Sequence, residues 1–430
     1  MQQPSNLAEW LDYQQRVHPR EVELGLARVQ EAWLRLGALP PAPVVITVGG
    51  TNGKGSTIAF LEAMLSADGK RVGAYTSPHL LRYNERVRVA GHEVADAVLE
   101  AAFARIETAR REIALTYFEF ATLAALVIFA DSGLDVALLE VGLGGRLDAV
   151  NIVDADAAIV TTVDFDHQEY LGNDRDGIGR EKAGIFRRGR PGIIGEIAPV
   201  RGLVDEARRI GADLRMAGRD FHVQVEPRGW HWRRGAIDLA LPEPGLIAPC
   251  QHANAAAAIA ALDALAARLG WNPAAIAQGV ASARIGARLQ RFSGRGEWVV
   301  DVAHNPQAAR VLAQWLRAHR PAGRSIAVFG ALADKDVRGI VEALYGCFDS
   351  WHLAGLAGES ARGLDAATLR VPVEAALGGL RQSVHEDLAG ALDAAFELAR
   401  NGDRVVAFGS FFVAAAALRF ARERTALVHR

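Results

Sequence analysis

Lysine is scarce in this chain: of 48 basic residues only Lys54, Lys70, Lys182 and Lys335 are lysine, and the rest are arginine. Arginine is the default cation. A lysine that persists against that bias marks a need for a compact point charge or a deprotonatable amine, which a guanidinium does not supply. Lys54, Lys182 and Lys335 all fall in the motifs below. Cysteine is rarer still, and Cys250 and Cys347 lie far apart with no CxxC spacing. That excludes a disulfide framework or a thiolate metal site and fits a reducing, cytoplasmic setting. Long apolar runs are missing too, since Phe120 to Ala130 and Ala255 to Leu262 are too short for a bilayer and read as buried helices. Glu9, Trp10 and Asp12 interrupt any secretory signal, so the N-terminus reads as part of the mature fold. An excess of one charge sign is also lacking. A net charge of -2 argues against nucleic acid or an anionic membrane as the main partner, so an anionic ligand must be met locally.

What is present is length and alternation. With 430 residues, half of them hydrophobic, the chain favours two or three domains, and two are expected. Short apolar runs alternate with helical stretches, the pattern of an α/β sheet with crossover helices. Strands are expected at Val44 to Val48, Val136 to Val141, Ala158 to Val163, Trp298 to Val302, Ile326 to Phe329 and Arg404 to Phe408. Helices are expected at Ser5 to Leu36, Ser56 to Asp68, Ala95 to Arg111, Phe118 to Asp131, Asn254 to Leu269 and Pro306 to Ala318. From Ala283 to Glu297 the sequence turns rich in glycine and arginine and loses its period, which places the domain junction there. The expected domains are 1–287 and 288–430. The segment His222 to Pro249 reads as an irregular β excursion.

After the first strand comes Gly49-Gly50-Thr51-Asn52-Gly53-Lys54-Gly55-Ser56-Thr57, followed by a helix. Glycine amides and a helix N-terminus can wrap phosphate oxygens while Lys54 adds a point charge, so this run reads as a phosphate loop. It departs from the usual Walker spacing, whose first glycine would fall at Val48 and whose hydroxyl is displaced by Gly55. The alternative is a glycine turn without a ligand. In Leu139-Glu140-Val141-Gly142-Leu143-Gly144-Gly145-Arg146-Leu147-Asp148, an apolar strand ends by presenting Glu140. A strand-end acid facing a phosphate loop offers what Mg²⁺ prefers, a few protein oxygens completed by water and phosphate. A dinucleotide fingerprint would need glycine at Leu147 and the first strand of the sheet, so it is set aside. Another strand ends in Thr161-Thr162-Val163-Asp164-Phe165-Asp166-His167, and Glu181-Lys182-Ala183-Gly184-Ile185-Phe186 follows. Neither is specific alone, though the rarity of lysine weights Lys182 toward function. In the second domain Asp301-Val302-Ala303-His304-Asn305-Pro306, Gly330 to Asp336 and Gly409-Ser410-Phe411-Phe412 each follow a strand. Three polar strand ends can converge on one crevice, with ordinary helix capping as the alternative.

Together with TSPHLLRYNERVRV (Thr76 to Val89), YFEFATL, HANAA and FGSFF, these segments resemble the folylpolyglutamate synthase and dihydrofolate synthase family of the Mur ligase superfamily, in the family's order from about Val44 to Phe412. The sequence departs at Ala287-Arg288-Leu289-Gln290, where a Gly-Arg-Phe or Gly-Arg-Leu type is common, and at Ala331, where a bulkier residue is frequent. The resemblance implies an N-terminal P-loop-like Mur-ligase ATPase domain and a smaller C-terminal Rossmann-like α/β domain. It implies ATP held by Gly50, Thr51, Asn52, Gly53, Lys54, Gly55, Ser56, Asn254, Arg288 and Asp301, and Mg²⁺ ligated by Ser77, Glu140, His167 and Lys182, the last as a CO₂-derived carbamate. Lys182 and His304 are implied as catalytic, and His79, Arg82 and Ser410 as substrate contacts. The implied reaction joins L-glutamate to dihydropteroate, or to folates, through an acyl phosphate, in a monomeric enzyme. Two other readings stay open: a Mur-type ligase acting on a cell-wall nucleotide precursor, which should not need the Thr76 to Val89 loop, and a P-loop ATPase without ligase activity.

Overall fold

The computed structural model describes residues 4–20, 22–379, 381–424 and 426–427. The chain forms two compact units. The first comprises Met1–Phe165, Leu171–Gly245 and Gln251–Arg284; the second comprises Asp166–Tyr170, Leu246–Cys250 and Ile285–Arg430. The expected division at 287/288 did not foresee that two short stretches, Asp166–Tyr170 and Leu246–Cys250, leave the first unit's sequence to cluster with the second.

The first unit is built on β1 (Val44–Gly49), β2 (Val72–Tyr75), β3 (Val87–Val89), β4 (His92–Glu93), β5 (Val136–Glu140), β6 (Ala157–Val160), β7 (Pro191–Ile194) and β8 (Asp213–Met216). Their order is β4-β3-β2-β5-β1-β6-β7-β8. The run from β2 to β8 is parallel, and β3 and β4 fold back antiparallel. Every residue of β1 is buried, as a parallel strand covered on both faces requires. Val45, Ala137, Leu139, Ala158 and Val160 pack with Leu99, Phe103, Phe120 and Leu123 of helices Asp96–Arg110 and Tyr117–Ala130. The alternate residues Ile46, Leu138 and Ile159 are fully buried, and helix Lys54–Ala67 lies against β1, β2 and β5. The chain leaves β1 for β2 on one side and later places β6 on the other, so the strand order reverses at β1. In such sheets the ligand crevice opens beyond the carboxyl ends at that reversal.

The expected β excursion is a regular antiparallel sheet of β9 (His222–Glu226), β10 (Gly229–Arg234) and β11 (Ile237–Leu241). Trp232 anchors it, stacked on Phe221 with its Nε1–H donating to the Ala256 carbonyl at 3.2 Å.

The second unit has β12 (Gln290–Gly294), β13 (Gly296–Val300), β14 (Ser325–Phe329), β15 (Ser350–Ala354), β16 (Gln382–His385), β17 (Arg404–Phe408) and β18 (Ala426–Leu427), ordered β16-β15-β14-β17-β13-β12-β18. The five strands from β16 to β13 are parallel, while β12 and β18 are antiparallel. Phe329, Phe348, Trp351 and Phe408 interlock in its core, with Phe348 stacked on Phe408 at 5.6 Å between centroids.

Several expected elements differ. The single helix over Ser5 to Leu36 is two helices, Leu7–Val17 and Ala27–Arg35. Pro19 lacks an amide hydrogen and forces His18 into extended backbone, φ -113° and ψ 135°. Asn254 to Leu269 is helix Gln251–Ala264 followed by the short turn Ala266–Leu269. The segment Ala283 to Glu297, expected as an aperiodic junction, contains β12, which pairs with β13 from Gln290↔Val300 to Gly294↔Gly296. Strand β6 ends at Val160, and Thr161 to Val163 leave the sheet for a role described next.

Candidate active site

In the first unit the carboxyl ends of β2, β5, β1 and β6 lie side by side. β1 runs into the loop Gly50 to Gly53, which opens helix Lys54–Ala67. Gly50 and Gly53 have φ of 142° and 91°. A Cβ on Gly50 would stand 1.9 Å from Thr161 Oγ1, and one on Gly53 2.5 Å from Asn254 Oδ1. Both conformation and space therefore require glycine. The loop is braced from β6. Thr51 N donates to the Thr162 carbonyl at 2.8 Å, Thr51 Oγ1 donates to the Asp164 carbonyl at 3.0 Å, and Thr161 Oγ1 donates to the Asn52 carbonyl at 2.6 Å. Lys54 Nζ donates back to the carbonyls of Gly50 and Thr51, at 3.1 and 3.2 Å. Behind the loop, Gln251 Nε2 donates to Ser56 Oγ at 3.3 Å and its Oε1 accepts from Asn254 Nδ2 at 3.0 Å. Gly50, Thr51, Asn52, Gly53, Lys54, Gly55, Ser56 and Asn254 are thus one assembly. Sequence reasoning noted Thr161 and Thr162 as a polar strand end without their bracing role, and it missed Gln251.

Glu140 lies across from Val48 in the β1–β5 ladder. It is 5% exposed, and its Oε2 accepts from the Ser77 amide at 3.1 Å. Ser77 arrives there because β2 pairs with β5 up to Tyr75↔Leu139. The glycine turn after Glu140 packs on the last turn of helix Arg175–Ala183: a Cβ on Gly145 would stand 3.0 Å from Lys182 Cα, and Arg146 N donates to the Glu181 carbonyl at 2.9 Å. Lys182 is 4% exposed. Asp148, also buried, accepts from Leu143 N at 2.8 Å and Val150 N at 3.1 Å and so closes this turn. Burial outweighs those amides and the charge of Lys54 and pushes its carboxyl up to about 6.

The donor set fits a divalent ion of the magnesium kind. Glu140 and Ser77 stand together beside the phosphate loop, and among the described residues no three His, Cys, Asp or Glu side chains form an all-protein cage. Mg²⁺ characteristically takes one or two carboxylates and completes its shell with phosphate and water. His167, expected as a further ligand, lies in the stretch that clusters with the second unit; its φ is 51° and its amide donates to Asp166 Oδ1 at 2.9 Å.

The loop from Thr76 to Val89 is internally tied. The Glu85 carboxylate accepts from the amides of Leu80, Leu81 and Arg82 at 2.7, 2.7 and 2.8 Å. Arg88 pairs with Glu62 at 2.7 Å and donates to Thr76 Oγ1 at 3.1 Å. Arg82, expected at the substrate, has a side chain 62% exposed and pairs with Asp96 at 3.4 Å. Arg86, which sequence reasoning passed over, is 8% exposed. Its Nε–H donates to His79 Nδ1 at 2.9 Å, and its guanidinium lies 5.3 Å from the Tyr83 ring centroid and 5.5 Å from that of Tyr117. Burial, with the charge of Arg86, lowers His79 to about 4, so the imidazole is neutral. The other two buried arginines among the described residues have carboxylate partners, Arg110 in Glu107 and Arg404 in Glu297; Arg86 has none. A desolvated cation–π contact is worth about 2 kcal/mol, less than the several kcal/mol a charge loses on leaving water, so the two rings do little more than partly offset its burial.

In the second unit β13, β17 and β14 are adjacent and parallel, so their carboxyl ends converge as expected. Asp301 accepts from Leu289 N at 2.9 Å and Ala303 N at 2.8 Å; burial raises its carboxyl, opposed by the charge of Arg288. The Arg288 guanidinium lies 5.7 Å from the Phe411 ring centroid. His304 Nδ1 donates to the Val302 carbonyl at 2.7 Å and turns Nε2 toward Asp166 Oδ2 at 3.4 Å. Lys335 Nζ stands 2.6 Å from Asp166 Oδ1 and 3.3 Å from Asp334. Burial pushes the Asp166 carboxyl up, but His304, Lys335 and His167 together hold it well below the usual carboxylate range. Ser410, 2% exposed, accepts from Val413 N at 3.1 Å and caps helix Phe411–Arg424. Asp166 is the residue of this cluster to which sequence reasoning gave no role; its sole signal was an acid next to His167.

Residues 48–198 match the family model of the Mur ligase middle domain, and residues 287–411 that of the Mur ligase, glutamate ligase domain. The chain is 45% identical over 416 residues to the dihydrofolate synthase/folylpolyglutamate synthase of Escherichia coli K12, covering 96% of this chain and 95% of that one. It superposes on a structure of Escherichia coli FolC in complex with DHPP and ADP with a TM-score of 0.92 at 43% identity, covering 98% of this chain and 99% of that one. A bifunctional folylpolyglutamate synthase/dihydrofolate synthase with Mn, AMPPNP and L-glutamate bound superposes with a TM-score of 0.89 at 43% identity, over 98% of this chain and all of that one. With phosphate loop, strand-end acid and buried lysine standing where its sequence motifs placed them, the chain belongs to the dihydrofolate synthase/folylpolyglutamate synthase family of Mur-type ligases.

Proposed function

We propose that this ligase joins the amino group of L-glutamate to the carboxylate of dihydropteroate, giving dihydrofolate, and to the glutamate end of folates. A carboxylate resists attack by an amine because its charge repels the nucleophile and its oxygen is a poor leaving group. Transfer of the ATP γ-phosphoryl group to the carboxylate gives an acyl phosphate and ADP; the amine then attacks the acyl carbon, the C–O bond to phosphate breaks, and the amine proton is released. A bound Mg²⁺ supplies charge neutralisation at the transferring phosphoryl group.

The chain's own groups do the rest. The amides of Gly50 to Gly55 and the Lys54 ammonium hold the phosphates, and the glycine conformations fix those donors before the nucleotide arrives. Glu140 and Ser77 would hold the metal, and His167 and Lys182, the latter as a carbamate, are assigned as its further ligands. Forming that carbamate requires the ammonium to lose one proton, makes an Nζ–C bond between the free amine and CO₂, and releases a second proton from nitrogen, so a cation becomes an anion of carboxylate type. Arginine is not able to do this. Asn254, Arg288 and Asp301 are assigned to the nucleotide, and His304 and Ser410 to glutamate. The ammonium of Lys335 and the ring of His304, both set on Asp166, give the second unit a cluster suited to an amino acid's charged ends.

The observation that carries this reading is the pairing of Glu140 with Ser77 beside a braced phosphate loop. A P-loop ATPase without ligase activity would release ADP whether or not glutamate is present. The test is steady-state ADP release with dihydropteroate and glutamate supplied singly and together. The reading requires sustained turnover with both and not with either alone; turnover indifferent to glutamate overturns it.

A further inference from the structure

We infer that Arg86 receives the carboxylate of the pteroate-type acid, with His79 as the positioning residue that aims its guanidinium. The inference rests on the ligase reading above and adds a substrate contact to it. Of the three buried arginines among the described residues, Arg86 alone lacks a carboxylate. Its Nε–H is committed to His79 Nδ1, and the rings of Tyr83 and Tyr117 fix its plane. The two terminal nitrogens remain, the fork that matches the two oxygens of a carboxylate. The neighbouring Tyr83 hydroxyl is itself buried without a hydrogen-bond partner among the described residues. Buried polar groups are paired in nearly all proteins, and exceptions mark places where a ligand completes the set.

Position decides which acid. Arg86 and His79 belong to the loop whose Ser77 amide sits on Glu140, within the unit that carries the phosphate loop. The acid to be phosphorylated must bring its carboxylate to that unit, whereas the groups assigned to glutamate lie in the other. His79 accepts from Arg86 and is therefore the tautomer with its hydrogen on Nε2, which leaves a second neutral donor beside the guanidinium.

The test uses the full-length enzyme and separates carboxylate recognition from structural support. Arg86→Gln should raise KM for dihydropteroate about 20-fold or more while KM for ATP and for glutamate stays within about twofold. Wild type should bind dihydropteroate more tightly than its methyl ester by about tenfold or more, and Arg86→Gln should lose that preference. ADP binding and the urea midpoint report whether the variant is folded. If Arg86→Gln does not fold, Arg86→Lys serves, since it keeps the charge but not the fork; its preference for acid over ester should shrink. An unchanged acid-to-ester ratio in a folded variant, or equal KM changes for all three substrates, overturns the inference. A wild type without glutamate-dependent turnover overturns the ligase reading, and this inference with it.

Discussion

Lys182 carries the sharpest prediction at the scale of single residues. It is buried on the last helical turn before Gly184, against the glycine turn that follows Glu140. Lys182→Arg keeps the charge but has no amine to carbamylate, so ligation should fall by about 100-fold or more. ADP affinity, measured by titration calorimetry, should stay within about threefold of wild type, because the phosphate loop is untouched. Near-normal ligation in the variant would remove the role assigned to the carbamate. How legible such residues were depends on background frequency. Lysine is so rare here that Lys54 and Lys182 stood out at once, and Glu140 was visible as an acid ending an apolar strand. Arg86 was invisible for the opposite reason: one arginine among many, in a loop where Arg82 looked equally suitable, and separable from it by burial alone.

Strand ends and the loops they launch decide function at the next scale. Gly50→Ala would place a methyl group on Thr161 Oγ1 and force a φ of 142° on a side-chain-bearing residue. Nucleotide affinity should drop about tenfold or more and the melting temperature should fall with it, since Gly50 and Thr161 are both buried and the strain is about 1–3 kcal/mol; ADP titration and melting curves on the same sample check both halves. A second prediction belongs to β15 and β16. His352 Nδ1 stands 3.1 Å from His385 Nε2 with the rings stacked, and burial, with the charges of His385 and Arg381, lowers His352 to about 4. Its folded pKa lies below the unfolded one, so its contribution to stability is present above pH ~6.5 and is lost as pH falls toward ~4, by about 3 kcal/mol in all. Urea unfolding of His352→Gln should show a shallower acid limb than wild type; parallel limbs would contradict the assignment. Elements with a clear apolar period were legible, among them β1, β5, β14 and β17. Those set by local chemistry were not: β12 is dominated by Gln, Arg, Ser and Gly around a single buried Phe292, and the break at Pro19 was masked by a helical pattern on both sides.

For the whole molecule, sequence order and spatial grouping part company. Asp166–Tyr170 and Leu246–Cys250 cluster with the second unit although the first unit's chain surrounds them. Nothing in a linear pattern marks such excursions, because the ties are made far apart in sequence: Asp166 pairs with Lys335 and His304, and Ala248 and Cys250 pack with the second unit's apolar core. The two-unit architecture itself was legible from length, alternation and motif order. Every assignment in it serves one chemical claim, that the carboxylate is activated by phosphorylation before the amine of glutamate attacks. The most direct measurement follows oxygen. With dihydropteroate labelled with oxygen-18 in its carboxylate, one label should appear in the inorganic phosphate for each amide formed, and label and amide should rise together with glutamate. Unlabelled phosphate accompanying amide formation would contradict the account.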